Sequence, residues 1–184
     1  MLQTLRNAWK LPELRGKILF TLFILLVYRF GSMLPVPFVD SGVMSQIMEA
    51  NREMGGIFQY YSFLAGEAFS RANVFALSIS PYITSQIVMQ LLTIAIPALE
   101  RMAKEGDEGR KKISRITRYL TVALGILTAY GYYTYLRSLS DASGSVLTNT
   151  GAFSGVVIVA CYSAGAAIIM WLAEKINDNG IGNG

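Results

Sequence analysis

Residues 73–99 read NVFALSISPYITSQIVMQLLTIAIPAL, with no charged side chain between Arg71 and Glu100. The run is long enough to cross a bilayer, which takes about 20 residues. Yet it places Ser78, Ser80, Pro81, Thr84, Ser85, Gln86, Gln90 and Thr93 among its apolar residues. A simple anchor would be served better by Leu, Ile and Val, so the reading turns on what these polar groups face. On a wheel of about 100° per residue with Ser78 at zero, Ile79, Ile83, Gln86, Ile87, Gln90, Thr93 and Ile94 share one side. Leu77, Val88, Leu91, Leu92 and Ala95 take the other. Two readings stand at this point. The polar side lines a funnel, with Gln86, Gln90 and Thr93 in its wet part and Ile79 and Ile83 as an apolar constriction that gates by dewetting. Alternatively, the glutamines hydrogen-bond a neighbouring helix and only hold the bundle together. Pro81 predicts a kink between Ile79 and Ile83.

Composition places this run in a membrane. The 184 residues are 53% hydrophobic and 15% charged, with a mean hydropathy of +0.42, whereas soluble domains carry about 25% charged residues. There is no His and one Cys, Cys161. That inventory excludes Ser-His-Asp chemistry, His- or Cys-based metal centres and a disulfide framework. The expectation is an all-α polytopic membrane protein with no catalytic residue, no metal and no cofactor.

Four spans are expected, at about 17–34, 75–95, 119–136 and 152–173. The third, YLTVALGILTAYGYYTYL, ends in tyrosines (Tyr132, Tyr133, Tyr135) that read as an interfacial belt. The fourth is rich in the small residues that let membrane helices approach closely, and Cys161 reads as one of its packing residues. Arg6, Lys10, Arg15 and Lys17 precede the first apolar core as in a signal peptide, but RFGSMLPVPF after it offers no small-residue cleavage site, so the segment is read as a retained span. Arg29 near its end reads as snorkelling to the interface.

Lys and Arg set the orientation, because cytoplasmic loops hold their excess. Four lie in the N-terminal tail and seven in the 97–118 loop (Arg101, Lys104, Arg110, Lys111, Lys112, Arg115, Arg118). Arg52 and Arg71 are the only two in the long 35–74 connection, and Arg137 stands alone in the next. Both chain ends and the 97–118 loop are therefore expected in the cytoplasm. In the 35–74 connection, LPVPF is a stiff extended exit. The apolar piece that follows, GIFQYYSFLAGEAFSRANV, is too short to cross. It reads either as an amphipathic helix on the outer surface or as a re-entrant half-helix buried by protein or water.

FALSISPYITSQIVMQLLT, KEGDEGRKKISRITRYLTVAL and WLAEKINDNGIGNG are similar to three consecutive signature stretches of SecY, the channel subunit of the bacterial protein-conducting translocon. YRFGSMLPVPF resembles a fourth, with Phe38 where a glycine is usual, and SFLAGEAFSRANVF a fifth. The resemblance runs collinearly from about residue 8 to 184.

It implies that the segment at about 60–71, with Ser62, Phe63, Leu64, Ala65, Gly66, Glu67, Ala68, Phe69 and Ser70, is a plug in the external vestibule. It implies also that Ile79 and Ile83 belong to the pore ring, and that the second span is one wall of a lateral gate. Implied partners are SecE and SecG, the SecA motor or a ribosome, and signal sequences and nascent polypeptides. Membrane lipids are expected against the basic loop of Arg110, Lys111, Lys112, Arg115 and Arg118, and nucleic acid only by way of a ribosome. The location implied is the bacterial plasma (inner) membrane. The family has ten spans in two halves, so this chain reads as an N-terminal fragment of an incomplete SecY fold, inactive on its own. The alternative function is a membrane-embedded scaffold or half-transporter that only binds other helices.

Overall fold

The computed structural model describes residues 11–50, 68–69, 71–143 and 146–180. Among the described residues six helices are assigned: α1 (Pro12–Gly31), α2 (Ser41–Ala50), α3 (Ser80–Ala95), α4 (Pro97–Lys104), α5 (Asp107–Ser143) and α6 (Ala152–Asn179). The described residues contain no named strand, only two isolated bridges, Pro35 with Asn73 and Val39 with Leu147.

Helix starts follow local chemistry. Pro12, Pro81 and Pro97 sit in the first turns of α1, α3 and α4, where the missing N–H costs nothing and φ is already helical. Asp40 caps α2, its Oδ1 accepting from the amides of Gly42 and Val43 at 2.9 and 3.1 Å. The expected kink at Pro81 is absent for this reason: the proline opens α3 instead of interrupting it, and residues 74–79 are turns. The second span is accordingly helical only from Ser80, five residues beyond its expected start.

α5 packs along α6, α3 lies against both, and α1 packs on α6. α3 and α4 meet at a bend of 101°. Among the described residues α6 alone is long and apolar enough to cross a membrane, and the bent α3–α4 pair passes the same test if taken together. α1 carries Glu13, Arg15, Lys17 and Arg29 at its two ends, and the apolar part of α5 is diluted by tyrosines. On α1, Leu22, Phe23, Leu25, Leu26 and Phe30 are more than half exposed, an apolar surface far larger than water tolerates on a monomer.

The main core lies at one end of the bundle, where Val36, Met44, Phe69, Tyr132, Leu136, Val146, Ile158 and Tyr162 meet. Tyr132 and Tyr133 are buried here, with 5% and 9% of their surface exposed, which corrects their reading as an interfacial belt. Tyrosine hydroxyls buried in protein must find acceptors, and Tyr132 finds one in the backbone of the preceding connection. Two connections are tied at this end: the amide of Asp40 donates to the Val146 carbonyl at 2.9 Å and that of Thr148 to the Phe38 carbonyl at 3.0 Å. At the opposite end, the Arg118 guanidinium bridges α5 to Glu174 of α6 at 2.8 Å. The small residues of α6 serve as expected. Gly155 lies so close to the Tyr133 ring that a Cβ would stand 2.8 Å from it, and Gly165 abuts the backbone of Val74.

Candidate functional site: the exposed side of α3 and the strap before it

α3 is buried on one side only. Pro81, Tyr82, Ser85 and Met89 face the bundle, and Tyr82 packs with Met170 and Ala173 of α6. Ile83, Ile87, Leu91 and Ile94 are exposed, Ile83 by 46% and Ile94 by 81%. Between these arcs stand Gln86, Gln90 and Thr93. They line a cavity of about 440 Å3 together with Tyr82, Met89, Arg110, Ile113, Ser114, Thr117 and Glu174. The polar side chains of the opening run thus divide. Ser85 is buried, and its hydroxyl donates to Pro81 O at 2.7 Å. The two glutamines face a cleft whose far wall is the start of α5 and the end of α6.

The basic loop divides similarly. Arg110 lines the cleft, and Arg118 bonds Glu174. Lys111, Lys112 and Arg115 are exposed, with Lys112 3.4 Å from Glu105. The hydrogen bond from Arg118 to Glu174 raises the guanidinium pKa further.

Ile79 and Ile83 do not stand alike. Ile83 is on the exposed side of the helix, whereas Ile79 caps it from outside and is half-buried against the Tyr82, Met170 and Ala173 cluster. Val88 and Leu92, opposite on the wheel, are half-buried rather than open to lipid. Of the expected plug, Ser62, Phe63, Leu64, Ala65, Gly66, Glu67 and Ser70 lie outside the described residues. Ala68 and Phe69 are buried in a turn.

That turn begins a strap, residues 68–69 and 71–79, which sequence reasoning missed. The Tyr132 hydroxyl donates to Phe69 O at 2.7 Å and the Tyr162 hydroxyl to Ala72 O at 3.1 Å. The Asn73 side-chain amide donates to Ser32 O, and Val74 N donates to Leu34 O at 3.1 Å. Ala72 and Ser78 take left-handed φ values of 50° and 54°, a conformation that costs non-glycine residues about 1 kcal/mol or more. The one signal available was the burial demanded of a tyrosine deep in a long apolar run.

The described residues form a helix bundle in which α6, and the α3–α4 pair if taken together, is long and apolar enough to cross a membrane. Solved structures agree on the fold. Sec61 in the canine ribosome–channel complex from the endoplasmic reticulum superposes with a TM-score of 0.58 at 16% identity, over 96% of this chain and 38% of that one. A protein-conducting channel gives the same values. The sequence profile of the SecY family matches residues 73–184. The protein translocase subunit SecY of Streptomyces coelicolor is 43% identical over 100% of this chain and 43% of its own length. That of Rickettsia felis is 41% identical over 94% of this chain and 39% of its own. The chain belongs to the SecY family, whose members are membrane proteins, and it spans less than half the length of these relatives.

Proposed function

We propose that this chain forms part of a protein-conducting channel that secretes polypeptides across the plasma membrane and inserts others into it. Four spans would be supplied by α1, α3, the middle of α5 and α6, with the 35–74 connection carrying the plug. The observation that carries this reading is that α3 has an exposed apolar arc through Ile83, Ile87, Leu91 and Ile94, and beside it Gln86, Gln90 and Thr93 in the cleft they line with the start of α5 and the end of α6. In hydrocarbon such amides are costly, whereas beside a water-filled path they are not. Ile79 and Ile83 at the start of the helix are then part of the constriction, and the glutamines line the vestibule leading to it.

The Lys and Arg bias sets the tail and residues 97–118 in the cytoplasm, where a ribosome or the SecA motor would dock. SecE and SecG are the small membrane partners this reading calls for, and the driving energy is that of the docked ribosome or SecA motor, not this chain's.

The test is cross-linking. With a photoreactive group at position 79 or 83 in the assembled protein, a stalled secretory nascent chain should cross-link at both, as a pore wall requires. A scaffold that only binds other helices gives no adduct to the translocating chain, and that result would overturn the reading. Ile79→Ser with Ile83→Ser should raise small-ion leak at normal abundance. The control pair is Leu22→Ser with Leu26→Ser, on the exposed side of α1, which should be scarce but tight.

A further inference from the structure

The strap that leads into α3 is held from below by two hydroxyls on two different helices. Tyr132 of α5 and Tyr162 of α6 meet edge to face with ring centroids 5.0 Å apart. Tyr162 has none of its surface exposed. Their hydroxyls donate to Phe69 O and Ala72 O, three residues apart on one turn. Both carbonyls lie beyond reach of water in this core, so each hydroxyl is the group that satisfies its acceptor's free lone pair. The strap then runs through consecutive turns, with Ala76 N donating to Asn73 O and Ser78 N to Phe75 O, both at 2.9 Å, and closes when Ile83 N reaches Ile79 O at 3.1 Å. No loose residue separates Ala72 from the first turn of α3.

We infer that Tyr132 and Tyr162 are positioning residues: their hydroxyls fix the depth at which α3 begins, and hence where Ile79 and Ile83 stand across the membrane. The inference rests on the channel reading for its consequence, but not for its geometry. Each step through the strap is a short turn, so a displacement at Ala72 is carried toward Ile79, opposed only by the bonds of Asn73 to Ser32 O and Val74 to Leu34 O. The aromatic rings fill the core whether or not the hydroxyls are present. The hydroxyls therefore set position, while the rings set packing.

The experiment combines Tyr132→Phe with Tyr162→Phe in the assembled protein, in inverted membrane vesicles. Cys161 is replaced by Ser, and one new cysteine stands at position 79 or 83. Labelling by a water-soluble thiol reagent should change about tenfold at one or both positions, the scale expected for loss of a hydrogen bond to a buried acceptor. Ion leak should rise severalfold, with abundance kept. Tyr133→Phe, also buried on α5, should change neither quantity. Unchanged labelling at both positions refutes the inference. Changed labelling without leak leaves the positioning role standing and overturns the constriction reading instead. If the double variant is scarce, Tyr162→Phe alone, which removes the longer of the two bonds, should shift labelling in the same direction by less. No shift there is also a refutation.

Discussion

Replacing Gly165 with Ala tests how tightly the strap is pressed into the bundle. A Cβ there would stand 3.0 Å from the Val74 carbonyl carbon, 2.9 Å from its Cγ1, and closer still to its oxygen. The obstacle is backbone, which cannot swing aside like a side chain. It is also pinned, because Val74 N donates to Leu34 O and the neighbouring Ala72 O accepts from Tyr162. Helix propensity favours the alanine by about 1 kcal/mol. Overpacking costs roughly 1–3 kcal/mol, and each strap hydrogen bond distorted adds about 1 kcal/mol. The net expectation is a loss of about 2 kcal/mol, on the order of thirtyfold in the folding equilibrium. Gly125→Ala is the matched comparison: its Cβ would meet only the Ala166 Cβ, at 3.6 Å, an ordinary contact, so it should be neutral or slightly stabilising. Unfolding midpoints of the purified protein titrated from mild detergent into dodecyl sulfate measure both. Equal midpoints for the two variants would show that the strap is not wedged against α6, and the argument built on its rigidity would fall with it.

Cysteines at Ser41 and Ser143 should label only from the external side and one at Ser114 only from the cytoplasm; the reverse pattern in oriented vesicles would invert the topology. A double-mutant cycle with Arg118→Gln and Glu174→Gln should give a coupling of no more than about 1 kcal/mol. The Arg118 side chain is 54% exposed while that of Glu174 is only 14% exposed, so salt should weaken the pair, and a salt-independent coupling would contradict this. Phe38→Gly sets two effects against each other, because Phe38 has a φ of 66° but is half-buried against the core. Relief of about 1 kcal/mol should roughly balance the half-buried ring, which carries about half of the 1.5–3 kcal/mol of full burial, leaving stability within about 1 kcal/mol of the parent. A clear gain in thermal stability would mean that the strain dominates.

The positions of the long helices were legible because length, hydropathy and charge all act within one segment. α6 runs from Ala152 as expected, and its small residues make the close approaches they imply. The start of α3 was not legible. Pro81 has two structural uses, a kink within a helix or the first turn of one, and the choice depends on whether residues 74–79 can be satisfied as turns. They can, because Val74 N donates to Leu34 O just beyond α1 and the turns close on themselves, Ala76 N to Asn73 O and Ser78 N to Phe75 O. Phe38 was not legible either: LPVPF reads as a stiff extended exit, and the left-handed φ of 66° at its last residue is seen only in the structure.

The site follows the same division between local and distant satisfaction. Ser85, Thr93, Thr117, Thr121 and Ser163 each donate to the carbonyl four residues before them. A hydroxyl that can be satisfied by its own helix says little about its neighbours, so Ser85 and Thr93 of the opening run could not reveal what they faced. Gln86 and Gln90 are longer and carry both donors and an acceptor, so they are the informative residues there, and they are the ones on the cleft. Tyr132 and Tyr162 also lie too far out on their side chains for such self-satisfaction, and they bond carbonyls 63 and 90 residues away. Pairings at that separation leave no periodic trace. What composition could say of Tyr132 was that an aromatic ring with a polar tip needs one apolar and one polar environment. A membrane interface meets that need, and so does a buried backbone turn; only the packing of α5 against α6 beneath the strap decides for the second.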